Sequence, residues 1–178
     1  LLVLGVGSLV LFYCTAYFSH SSESVSGFVA HLFSFCGAMF GLITSDDFIV
    51  MFIFWEVTTI LSYLLIGHSH NRISARRSAI QALTVTTAGG LAMFVGLVML
   101  GQSAGTYSLT ELVERGPALV AAIESGNGIM TGAQLSTALF LILCGALSKS
   151  ALFPLHFWLP GAMAAPTPVS AYPVSYTH

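Results

Sequence analysis

Two ionisable side chains stand inside long apolar stretches of this chain, Glu56 and Lys149, and they are opposite in sign. Each costs on the order of 2.5 to 3.5 kcal/mol at the centre of a membrane helix, so an acid and a base on separate helices are most cheaply placed facing each other or water inside the bundle. A pair at about 4 Å with an effective dielectric near 20 interacts by roughly 4 kcal/mol, enough to make the proton affinity of one depend on where the other sits. That dependence is what a proton switch needs. The competing reading is a structural ion pair that fixes helix register.

Further polar groups cluster near these two. Ser148 and Ser150 flank Lys149 and can solvate its ammonium, while Gln81, Thr84 and Thr87 form a three-residue-spaced stripe on an otherwise apolar helix. The stripe can line a water path, although Ser and Thr in membrane helices also bond their own backbone. His156 lies two residues past Pro154, where broken backbone can line a cavity, whereas His31 reads as a packed or interfacial residue. Trp55 and Trp158 read as packing and interface anchors. The cysteines Cys14, Cys36 and Cys144 all fall in apolar segments without metal-site spacing, so neither a metal nor a cofactor is expected. No basic run exists to follow a phosphate backbone, which argues against nucleic acid.

The elements that must position these groups follow from composition. Charged residues make up 7% of the 178, hydrophobic residues 56%, and mean hydropathy is +0.88, against about 25% charged in a soluble domain. A lipid-embedded chain satisfies its backbone as helices or a closed barrel, and apolar runs of about 20 residues specify helices. The fold class is therefore all-α, a polytopic transmembrane bundle. Five spans are expected over residues 1–18, 28–44, 48–67, 78–101 and 135–153. Residues 19–27 and 68–77 are solvent loops, and Asp46-Asp47 makes a tight turn.

Ser108-Leu109-Thr110-Glu111 opens a short interfacial helix that Gly116-Pro117 should break. Pro154, Pro160, Pro166 and Pro168 forbid one continuous helix at the C-terminal end. Small residues at Gly37-x-x-x-Gly41 and along Ala88, Ala92 and Gly96 suit close helix packing. Arg72, Arg76 and Arg77 place the 68–77 loop in the cytoplasm, with the start of the chain outside.

Two long motifs then become recognisable. Phe54-Trp55-Glu56-Val57-Thr58-Thr59 with Leu64-Leu65-Ile66-Gly67 closely resembles the fifth-helix signature of antiporter-like proton-translocating subunits. The run from Gly145 through Lys149, Phe153-Pro154-Leu155-His156-Phe157-Trp158 and Ala165-Pro166-Thr167-Pro168-Val169-Ser170-Ala171-Tyr172 resembles their broken seventh helix. Within that family the chain looks most like the A-type subunits of bacterial multisubunit (Mrp-type) Na+/H+ antiporters. The resemblance implies a transporter subunit rather than an enzyme, in the bacterial inner membrane, working with other membrane subunits and exchanging Na+ for H+. It also implies that Glu56 and Lys149 carry the proton path. A proton-pumping subunit of respiratory complex I, or of a related membrane hydrogenase, is the alternative.

The resemblance covers residues 1–172, which should form one partial proton-translocating domain starting mid-protein. Gly161 stands where the family has Asp before Ala-Met. Residues 173–178 depart from the family's continuation and read as a foreign tail.

Overall fold

Backbone groups in hydrocarbon must bond within their own segment, and the apolar runs here do so as α-helices. The computed structural model describes residues 2–17, 25–67, 73–126 and 128–162. Among these, seven helices follow in order: α1 (Leu2–Tyr17), α2 (Val25–Thr44), α3 (Phe48–Ile66), α4 (Ile73–Ala104), α5 (Leu109–Glu124), α6 (Gly132–Lys149) and α7 (Leu159–Ala162). A 3-10 turn, Leu155–Trp158, precedes α7. The 68–72 part of the arginine loop, the Ser-rich loop at 18–24 and the segment 163–178 lie outside the described residues.

Helices α2, α3, α4 and α6 are long and apolar enough to cross a bilayer. Helix α1 falls on the first expected span and is an apolar helix of 16 residues among the described ones. Helix α4 is longer than the expected 78–101, running 32 residues. Large apolar side chains such as Phe12, Phe33, Ile60, Leu91 and Phe140 are exposed on the outer faces of the bundle, the surface that lipid or neighbouring membrane chains would cover.

The interior is built around α2, α3 and α4. Phe28, Leu32 and Phe35 of α2 pack with Leu65 and Ile66 of α3, Ala79 and Ala82 of α4, and Trp158. Close approach is set by glycines. A Cβ at Gly41 would meet the Phe54 ring at 2.6 Å, and one at Gly96 would meet Ile142 Cγ1 at 2.8 Å. Gly37 meets nothing and Ala88 is exposed, so only part of each small-residue ladder is used.

One end of the bundle is tied by α5. Asp47 caps α3, its carboxylate accepting from the Ile49 and Val50 N–H groups at 2.8 and 3.1 Å. Phe48 N–H donates to the Tyr107 carbonyl (2.9 Å) and Leu109 N–H to that of Asp46 (2.8 Å). The Asp46 carboxylate accepts from the Ser108 hydroxyl and from both the N–H and hydroxyl of Thr110. It therefore neutralises the open N-terminus of a helix that begins over 60 residues later. Pro117 does not break α5 as expected. A proline here removes one N–H, and Val113, whose carbonyl it would have served, is on the exposed side where solvent can replace that bond.

Candidate functional site

Helix α6 ends at Lys149, four residues before the expected end of the span at Phe153. Pro154 cannot donate to the helix and disfavours helical backbone at Phe153. The chain turns earlier, with Ala151 at φ 50 in the left-handed region. Orphan carbonyls of this last turn find partners nearby: Ser150 N–H bonds Ala146 O at 2.9 Å, Leu152 N–H bonds Leu147 O at 3.1 Å, and the Trp158 indole N–H donates to Ser148 O at 3.0 Å. Trp158 is thus a clamp on the break rather than an interface anchor.

Lys149 reaches across to α3. Its ammonium donates to the hydroxyls of Thr59 at 2.7 Å and Thr58 at 2.9 Å, with the Trp55 carbonyl at 3.5 Å. Both hydroxyls donate onward to that same carbonyl, at 2.7 Å from Thr58 and 3.1 Å from Thr59, which leaves their lone pairs for the cation. The ammonium also lies 5.2 Å from the centroid of the Trp55 ring, within cation–π range.

Glu56, one residue along, does not share this nest. Among the described residues it makes no ion pair with Lys149 within 4 Å, and its Oε1 is buried without a partner. Its carboxylate rests against Gly90 of α4, where any Cβ would collide with it. Glu56 and the hydroxyls that hold Lys149 are therefore neighbours along α3, yet the acid and the base are not hydrogen-bonded partners, because Thr58 and Thr59 take the place of the carboxylate.

A cavity of about 300 Å³ opens beside the ammonium. Lys149, Thr58, Thr59, Ser62, Thr86 and Ser150 supply its polar lining, and Phe35, Tyr63, Ile66 and Trp158 part of its apolar wall. Of the expected path residues, Ser150 and Lys149 line it. Ser148 does not: it is fully buried, its hydroxyl donates to Gly145 O at 2.8 Å, and it occupies the space a side chain at Gly89 would take. Gln81 and Thr84 lie on the exposed face of α4, and the Thr84 hydroxyl bonds its own Ile80 carbonyl at 2.8 Å. Thr87 is half-buried and outside the lining. His156 is exposed, its ring stacked 5.9 Å from that of Phe153.

The nest on Thr58 and Thr59 and the seat on Gly90 were not anticipated from sequence. A Gly-Gly pair in mid-span, at Gly89-Gly90, is the signal that marks where α4 admits both neighbours.

Comparison with known proteins bears on the family and the fold. The family described as NADH:quinone oxidoreductase/Mrp antiporter, transmembrane, matches residues 45–174, which include Glu56, Lys149 and the whole Thr58-Thr59 nest. The chain belongs to that family. It is 46% identical over 171 residues to a probable A/B-type K(+)/H(+) antiporter subunit of Rhizobium meliloti, covering 96% of this chain and 16% of that protein. It is 40% identical over 173 residues to the A-type Na(+)/H(+) antiporter subunit of Alkalihalophilus pseudofirmus, covering 97% and 20%. A chain of the Mrp complex from Dietzia sp. DQ12-45-1b superposes with a TM-score of 0.81 at 35% identity, covering 97% of this chain and 18% of that one. The chain thus spans a fifth or less of these relatives.

Proposed function

We propose that this chain is part of a membrane subunit of an antiporter that exchanges a monovalent alkali cation for protons, with Glu56 and Lys149 handling the proton. One observation carries the reading: Lys149 places its ammonium in a cavity on neutral oxygens, 2.7 and 2.9 Å from two threonine hydroxyls, while an acid of opposite charge waits on the same turn of α3. A structural ion pair would be closed. Here the cation can give up its proton without leaving a carboxylate unpaired against it, and can regain it when Glu56 turns towards it.

The cation is Na+ in the name of one relative and K+ in the name of another. Chemistry at Glu56 and Lys149 is the same for either. The relatives' names as subunits support assembly with further membrane subunits, and the chain's own apolar exterior leaves room for them. Redox-driven pumping in a quinone oxidoreductase uses the other half of the family name; the antiporter reading is favoured by relatives at 40% identity and above that are named as antiporter subunits.

The test is Lys149→Arg in the full-length protein assembled with its partners, measured as cation-dependent proton movement in everted vesicles. Arginine keeps the charge but does not release it, so a proton-carrying role predicts loss of exchange in well-assembled protein. Normal exchange would return Lys149 to the role of a structural cation.

A further inference from the structure

Trp55 presents different parts of one side chain near Lys149 and near Glu56. Its ring lies 5.2 Å from the Lys149 ammonium. Its indole Nε1 is buried with no hydrogen-bond partner, and so is Glu56 Oε1. Both orphans meet at the same place on α4: a Cβ built on Gly90 would stand 3.3 Å from Trp55 Nε1 and would collide with Glu56 Oε1. One is a donor and the other an acceptor.

Buried polar atoms left unbonded are rare because each forfeits its water without replacement. Two orphans of complementary polarity at one spot call for a common explanation. An indole presents a negative face to a cation and a polarised N–H at its edge to an anion, so it can serve two opposite charges at once.

We propose that Trp55 is the positioning residue that couples Lys149 to Glu56, its face steadying the ammonium on Thr58 and Thr59 and its unpartnered N–H standing ready beside Gly90 to receive the carboxylate when Glu56 closes the remaining gap. The N–H donates a hydrogen bond and transfers no proton. Turning towards Trp55 removes Glu56 from Lys149, and turning back restores the pair, so the indole is the alternative partner that a two-position acid requires. Gly90 has no side chain because the carboxylate needs that space in the Trp55-facing position. This rests on Glu56 and Lys149 being the proton carriers.

The experiment uses the purified, full-length protein in its complex and follows carboxyl bands by infrared difference spectroscopy between acid and alkaline pH. The Glu56 band is identified by its loss in Glu56→Gln. Trp55→Phe keeps the ring but removes the donor, and it should shift that band and slow exchange about tenfold, the size of one hydrogen bond to a charged group.

A second reading covers the case in which Trp55→Phe does not assemble. Ultraviolet resonance Raman spectra of the native indoles should report a change in N–H hydrogen bonding on going from the parent protein to Glu56→Gln. A Glu56 band indifferent to Trp55→Phe, or indoles indifferent to Glu56→Gln, overturns the proposal and leaves the proton-carrier reading standing. Absence of any titrating Glu56 band overturns both.

Discussion

Lys149 is held to Thr59 by a 2.7 Å hydrogen bond that crosses from the end of α6 to the middle of α3. With Thr58 at 2.9 Å it converts a turn of hydroxyls into a seat for a cation, using oxygens that carry no charge. A carboxylate seat would hold the ammonium tightly at every step. The hydroxyl seat positions it through neutral acceptors instead.

Replacing both hydroxyls by isosteric methyls removes the seat and leaves packing intact. Hydrogen bonds to charged groups are worth about 1.5 to 3 kcal/mol each, so Thr58→Val/Thr59→Val should slow cation/proton exchange by tenfold or more, and Thr59→Val alone by less. Exchange rates in everted vesicles, normalised to assembled protein, check this. An unchanged rate in the double variant would show that Lys149 does not work from this position.

The charge census was enough to single out Glu56 and Lys149, because ionisable groups in hydrocarbon are costly and few. Their partners were harder to read. Thr58 and Thr59 look like any backbone-bonded hydroxyls of a membrane helix, and they do bond the Trp55 carbonyl; only the fold shows the second contact. On α4 the polar spacing drew attention to Gln81, Thr84 and Thr87, yet Thr86 lines the cavity. The face α4 turns inward is set by where backbone can approach, at Gly89, Gly90 and Gly96, and glycine packing outranks polar spacing there. The break after Lys149 was placed at the proline, whereas proline restricts the residues before it as well.

Orientation is a separate expectation, resting on Arg72, Arg76 and Arg77. A cysteine at Asn71 in otherwise cysteine-free full-length protein should react with an impermeant maleimide from the cytoplasmic side, and one at Ser125 from the other. Labelling of both from one side contradicts the placement of α4 and α5.

Asp46 gives a pH dependence whose sign can be worked out. Hydrogen bonds from Ser108 and then Thr110 hold its carboxyl below the ordinary value of 3.8. A carboxyl lowered by folding stabilises the protein above its unfolded pKa and loses that contribution as pH falls through the folded one. Asp46→Asn should therefore lower the melting temperature slightly at neutral pH, and the difference should close below pH 3.8. Fluorescence-detected unfolding of detergent-solubilised protein across that range is the measurement. A gap that widens on acidification contradicts the clasp between Asp46 and α5.

The approach of α4 to α6 is what lets Lys149 reach α3, and Gly89 sets it. A Cβ at Gly89 would stand 2.5 Å from Ser148 Cβ and closer still to its hydroxyl, one residue before Lys149. Overpacking of this kind costs about 1 to 3 kcal/mol. Gly89→Ala should accordingly lower the melting temperature. It should also reduce exchange more than an equally destabilising change on the lipid face, because moving Ser148 away moves the ammonium off Thr58 and Thr59. Ser148→Gly removes both atoms that collide, at the expense of a glycine near a helix end and a lost bond to Gly145 O. If the contact is the cause, Gly89→Ala/Ser148→Gly should lose less stability than the two single losses added together, by about 0.5 to 3 kcal/mol, and should recover part of the exchange rate. Simple additivity would mean that Gly89 acts through some other neighbour, and the link from helix approach to the position of Lys149 would fail with it.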